Sequence, residues 1–144
     1  MEYIVAKSEQ LTVNELINIM RERVKVFVVE QNCPYQEVDN EDNNALHVML
    51  KDDKAIVAYT RIIKRDDHIS FGRVLVAEKY RNQQFGRQIV SKTIDEIKKR
   101  YKDNIIQISG QAHLQKFYES FGFQCVSECY LEDGIPHVLL ELEI

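Results

Sequence analysis

The stretch Val74–Val90, VLVAEKYRNQQFGRQIV, decides how the rest of the chain is read. It opens as an apolar strand, passes through the polar turn Arg81-Asn82-Gln83-Gln84, and continues from Phe85 with apolar residues at helical spacing. In such a strand–turn–helix unit, the unbonded amides of the first helical turn converge just beyond the strand end. They carry partial positive charge and favour an anion. Arg81 and Arg87 flank the turn and add charge suited to a phosphate. The pattern is Arg-x-x-Gln-x-Gly, which is neither the G-x-G-x-x-G of dinucleotide sites nor the P-loop G-x-x-x-x-G-K-S/T. On these residues alone, an anion site and an ordinary solvated turn are both open.

Outward from this unit the chain alternates strands and helices. Residues 2–7, EYIVAK, read as a short strand. Thr12 and Glu15 form a capping box, and Val13, Leu16, Ile17, Met20, Val24, Phe27 and Val28 predict one helix running to Val29. EQNCPYQEVDNEDNN, with Pro34 inside it, reads as a loop. ALHVMLK and AIVAYTRIIK flank Asp52-Asp53 as a hairpin, and Asp66-Asp67 turns the chain into HISFGRVLVA.

The helix from Phe85 runs to Tyr101, with Lys98, Lys99 and Arg100 complementing its dipole. NIIQIS reads as a buried central strand. HLQKFYESF is a short helix stopped by a left-handed Gly122. FQCVSECYL and PHVLLELEI are strands joined through Glu132-Asp133-Gly134. The order β-α-β-β-β-α-β-α-β-β predicts an α/β fold, a central mixed sheet flanked by helices.

Composition limits the function classes. A chain of 144 residues fits one domain, 1–144, large enough to bury a core without disulfides or metal. The 19 basic against 23 acidic side chains give a net charge of −4, which argues against nucleic acid as a partner. No apolar run approaches a membrane span. Cys33, Cys125 and Cys129 lack zinc-site spacing, so no metal is expected. Their odd number and the absence of a leader-like N-terminus predict a reduced, cytoplasmic setting.

Four separated blocks change the reading of the turn. VLVAEKYRNQQFGRQIV followed by QAHLQKFYESFGF resembles the acetyl-CoA pyrophosphate loop and closing tyrosine helix of the GNAT superfamily of N-acetyltransferases. VFVVEQNCPYQEVDNED and YLEDGIPHV are similar to its ElaA-like branch. The resemblance implies an acetyl-CoA-dependent N-acetyltransferase, with acetyl-CoA as cosubstrate and direct transfer to a small-molecule or peptide amine in a ternary complex. Backbone groups of Val74, Leu75 and Val76 then face the pantetheine arm. The turn residues Arg81, Asn82, Gln83, Gln84, Phe85, Gly86 and Arg87 hold the pyrophosphate, Gln111 contacts the pantetheine arm, and Tyr118 protonates the departing thiolate. Glu30 and His47 are its candidate bases, and Glu30, Tyr35, His47 and His137 its candidate acceptor-pocket residues.

Each role has a structural counterpart. Tyr118 is also a core aromatic beside Phe117 and Phe121, His47 a satisfied structural histidine, and Glu30 a surface carboxylate at the disfavoured end of a helix. Cys33 reads as small buried packing rather than as a nucleophile. The acidic DNEDNN reads as a solvated loop or an attractor of cationic amines. Gln84 stands where the family usually has its first glycine, which keeps open a non-catalytic acyl-CoA-binding module on the same fold. If Gln84 is left-handed, it costs about 1–2 kcal/mol; if helical, little. A homodimer is compatible with everything read so far.

Overall fold

The computed structural model describes residues 1–102 and 104–144. Strands β1 (Glu2–Lys7), β2 (Leu46–Asp52), β3 (Ala55–Lys64) and β4 (Ile69–Val76) form an antiparallel meander. β5 (Ile105–Gln111) runs parallel to β4, and β8 (Ile135–Glu143) pairs antiparallel with β5. β6 (Gln124–Cys125) and β7 (Tyr130–Glu132) both pair with β8, giving the order β1-β2-β3-β4-β5-β8-β6 with β7 beside β8. The last hairpin turns on Asp133 and Gly134, both with positive φ, 52° and 77°. That backbone twist matches the twist of the flanking strands.

The mixed sheet with flanking helices agrees with the sequence, but three elements differ from it. FQCVSECYL is two strands, not one. The chain takes five residues from Cys125 to Tyr130 while β8 takes three from Leu140 to His137, so the surplus loops out. The Ser127 hydroxyl accepts the Leu139 amide at 2.9 Å in place of a ladder bond. β5 alternates half-buried and buried residues instead of being wholly buried, because Ile106 and Ile108 face the core while Gln107, Ser109 and Gln111 stand on the other face of the sheet. Lastly, the first helix is α-helical only as α1 (Val13–Val24) and continues to Glu30 as a π-helical stretch.

The capping box of α1 is formed: Thr12 Oγ1 accepts the Glu15 amide at 3.1 Å and Glu15 Oε1 accepts the Thr12 amide at 2.9 Å. α1 buries Ile19 and Arg23 one turn apart, and the following π stretch buries Val26. Ile19 and Val26 pack with Met49, Tyr59 and Leu75 on one face of the sheet. α2 (Phe85–Arg100) covers the other face, burying Ile89, Val90, Ile94 and Ile97 against Val48, Ile69 and Ile106. Each such side chain contributes roughly 1.5–3 kcal/mol on leaving water. α3 (Gln115–Glu119) packs on the same face, and Gly122 ends it with φ 102°.

Two irregularities position the site. β4 and β5 share a single paired position, Ile69 with Ile106, and separate beyond it towards their C-terminal ends. Opposite Thr60 of β3, β4 places both Arg73 and Val74, a bulge in which Arg73 takes φ 52°. A bulge of this kind bends its strand and leaves a residue outside the ladder.

Candidate active site

The split between β4 and β5 opens a cavity of 460 Å³. Such a gap, beyond the point where parallel strands part, leaves unpaired strand edges facing a ligand-sized space. Phe71 and Val74 of β4 line one wall, and Ile108, Gly110 and Gln111 of β5 the other. Tyr118 closes one side, and Tyr35, Asp133 and His137 stand on another. Of the residues expected at the site, the cavity therefore gathers Val74, Gln111, Tyr118, Tyr35 and His137. Leu75 does not line it, and its side chain is buried among Ile19 and Tyr59.

Tyr118 is both a core aromatic and a cavity residue. It is 5% exposed and packs edge-on against Phe71, Phe117 and Phe123. Burial pushes its phenol up to about 12, so it stays protonated at neutral pH and can donate. Its place depends on Gly110, where an added Cβ would lie 3.1 Å from the Tyr118 ring and from Leu140.

The turn before α2 has an anion-binding form. Gln84 caps α2 in the left-handed conformation, φ 69° and ψ 13°, and its side chain makes no capping bond. Asn82 is left-handed as well, at φ 64°. No acceptor among the described residues is bonded to the amides of Asn82, Gln83, Gln84, Phe85, Gly86 or Arg87. A Cβ at Gly86 would make only ordinary contact with Val76, at 3.7 Å. Packing within the chain thus does not require glycine there.

The two arginines are otherwise occupied. Arg81 donates to the Val76 carbonyl at 3.0 Å and pairs with Glu30 at 2.8 Å. Arg87 donates to Ser120 Oγ at 2.6 Å and lies over the Phe121 ring. The turn offers backbone amides first and side-chain charge second.

Two expected residues lie elsewhere. Glu30 is outside the cavity, holding Arg81 at the far end of the π stretch. His47 is fully buried, with Nδ1 2.5 Å from the Tyr59 hydroxyl and Nε2 2.7 Å from Ser8 Oγ. Ser8 gives its hydrogen to the Asp42 carbonyl, so it accepts from His47 Nε2–H, and Tyr59 donates to Nδ1. Burial, with Arg23 nearby, lowers this imidazole to about 4. With both nitrogens engaged and the ring neutral, His47 is a structural histidine and not a base in the cavity.

The acidic loop is solvated only in part: Asn40, Asn43 and Asn44 are exposed, but Asp42 and the preceding Glu37 are buried. Arg23, with no exposed surface, donates to both carboxylate oxygens of Glu37 and pairs with Asp42 at 2.6 Å. Arg61 pairs with Asp39 and Asp42, and Arg73 in the bulge pairs with Glu37. Burial alone would raise Asp42, but hydrogen bonding and charge from Arg23 outweigh it and hold the carboxyl at about 2. The loop carboxylates are largely neutralised internally and are not free to draw in a cationic substrate. One signal for this was legible: Arg23 sits at helical spacing between Ile19 and Val26, a charge on the buried stripe.

Glu132, which carries no motif signal of its own, also lines the cavity: its Oε2 is 3.5 Å from His137 Nε2. Cys33 is buried, and its thiol donates to the Asp133 carbonyl at 3.3 Å.

Residues 10–144 match the acetyltransferase (GNAT) domain. The chain is 42% identical over 140 residues to the protein ElaA of Escherichia coli, covering 94% of this chain and 92% of that one. The crystal structure of Escherichia coli ElaA superposes with a TM-score of 0.94 at 39% identity, covering 99% of this chain and all of that one. An acyl-CoA N-acyltransferase from Pseudomonas aeruginosa superposes with a TM-score of 0.92 at 34% identity, covering 98% and 99%.

Proposed function

The chain belongs to the GNAT acetyltransferase family, and from that premise we propose that it transfers an acetyl group from acetyl-CoA directly to the amine of a small molecule or peptide. The observation that supports this most is the parting of β4 and β5 beyond Ile69 and Ile106, with Tyr118 beside the opening and free amides beyond it.

In this reading the pyrophosphate rests on the amides of Asn82 to Arg87, and Gly86 leaves it room. The pantetheine arm runs along the β4 edge from Val74 to Val76, opposite Gln111. The thioester carbonyl lies in the cavity, where the amine attacks it. Tyr118 gives its proton to the sulfur as the C–S bond breaks. Holding amine and thioester together supplies the larger part of the rate, up to about 7–11 kcal/mol, and acid–base help adds about 10²–10⁴-fold. Transfer is direct, so no nucleophile of the protein takes part and Cys33 is left to packing.

The test is a melting curve with acetyl-CoA, followed by thiol release across a panel of amines, polyamines, aminoglycosides and peptide N-termini. A rise in melting temperature with saturable, amine-dependent release of CoA is expected. No shift at saturating acetyl-CoA would exclude the reading. A shift without turnover on any amine would instead indicate a binding module.

A further inference from the structure

An amine that is protonated at neutral pH must lose a proton before it can attack, and neither Glu30 nor His47 is placed to take it. His137 is. Its Nδ1 lies 2.7 Å from the Ile135 carbonyl oxygen. A carbonyl only accepts, so Nδ1 carries the hydrogen and the neutral ring has its lone pair on Nε2. That nitrogen is 3.5 Å from Glu132 Oε2, which when ionised has no hydrogen to give. Two acceptors side by side, on two residues that line the cavity, ask for a group with several N–H hydrogens.

The arrangement is braced. Tyr130 stacks on the imidazole, with ring centroids 6.3 Å apart and planes 27° from parallel. Ser109 donates to Glu132 Oε1 at 3.1 Å, and the Tyr130 hydroxyl bonds Ser109 in turn. The cross-strand pairing of His137 with Gln111 sets the imidazole at the C-terminal end of β5, where the sheet splits.

Resting on the acetyl-transfer reading, we infer that His137 is the general base and that Glu132 anchors the acceptor, a primary amine bound as its ammonium ion. One ammonium hydrogen points to each acceptor. His137 Nε2 takes one proton, and the freed lone pair forms the N–C bond at the thioester carbonyl. As the adduct collapses, the C–S bond breaks and the sulfur takes the Tyr118 proton. The second proton lost from nitrogen replaces the one Tyr118 gave. His137 returns its own to solvent, so one proton is released per turnover.

Charged groups from several elements share the cavity with this imidazole. Glu132 and Asp133 bring carboxylates from its own hairpin, while Tyr130, Tyr35 and Cys33 are neutral when protonated. Arg61, Arg65 and Arg73 line the same cavity, but each is paired with a carboxylate, that of Asp39, Glu41 and Glu37 respectively.

The experiment compares wild type, His137→Asn and Glu132→Gln by acetyl-CoA melting shift and by thiol release on an amine the wild type acetylates. Asparagine can keep the bond to the Ile135 carbonyl while deleting Nε2. Expected for His137→Asn are a kcat lower by about 10²-fold or more, loss of the acid limb of the kcat/KM profile, and partial rescue by added imidazole, with the melting shift kept. Glu132→Gln should raise KM for the amine by about tenfold or more, with less effect on kcat. A His137→Asn protein with unchanged kcat and acid limb overturns the assignment of the base. Should that variant not fold, an unchanged amine KM in Glu132→Gln overturns the proposal instead. A wild type with no melting shift and no thiol release overturns the transferase reading, and this inference with it.

Discussion

Glu30 and Arg81, 51 residues apart in sequence, meet at 2.8 Å and fasten the end of the π-helical stretch to the turn that precedes α2. Arg81 reaches the Val76 carbonyl with its Nε, so one guanidinium ties three segments together. A carboxylate committed in this way braces the turn.

Glu30→Gln is therefore expected to leave kcat within a few-fold of wild type. The pair is solvent-exposed, so its loss should cost less than about 1 kcal/mol in urea unfolding. A fall in kcat of the size expected for a lost acid or base would return Glu30 to the chemistry.

Gln84→Gly should stabilise the protein. A left-handed non-glycine costs about 1–2 kcal/mol, and glycine gives back about 0.4–1 kcal/mol through the unfolded chain. The net gain of up to about 1.5 kcal/mol predicts a melting temperature higher by up to a few degrees. An unchanged or lower melting temperature would mean that the Gln84 side chain makes up for the strain.

Tyr118→Phe should lower kcat by about 10²–10⁴-fold with the acetyl-CoA melting shift kept, because only the hydroxyl is lost and the ring still fills its place. Gly110→Ala acts on the same group through packing. Its Cβ would sit 3.1 Å from the Tyr118 ring and from Leu140 Cδ1, so it should lower both stability and turnover. Full activity in both variants would remove Tyr118 from the mechanism.

Acid should destabilise the fold before the carboxylates titrate. The His47 pKa is about 4 in the folded protein against an ordinary 6.5, so the unfolded chain binds more protons between these values. This contribution is whole above pH 6.5 and is lost as pH falls to 4, by about 3 kcal/mol. Unfolding free energy measured across this window should slope less steeply with pH in His47→Gln. An equal slope would place the titration elsewhere.

Arg23→Met should cost about 3–5 kcal/mol, since it strands Glu37 and Asp42 without their shared cation in a buried place. Chemical denaturation reads this directly. The loss should be smaller at low pH, where Asp42 takes up a proton.

Much was legible in the chain because it depends on local rules. The Thr12–Glu15 capping box, the hairpin at Asp133-Gly134, the left-handed stop at Gly122 and the apolar period of α2 each rest on a few neighbouring residues. Val74 to Arg87 and Tyr118 were found by motif, since spacing across a strand, turn and helix is itself short-range. The π stretch after Val24 and the division of β6 from β7 were not, because each answers to partners far along the chain.

What the sequence determined alone was the alternation of strands and helices and the strand–turn–helix unit at Val74–Val90, both set by hydrogen bonding and side-chain period within short windows. What only the tertiary structure decided was which polar groups face the cavity. His47 and His137 both stand on strands beside apolar residues, yet one has both nitrogens bonded in the interior and the other has a free Nε2 at the cavity. The acidic loop read as solvent-facing until Arg23, Arg61 and Arg73 were brought to it from three different elements. Charge is a property of a residue, but whether that charge is spent depends on its neighbours in space.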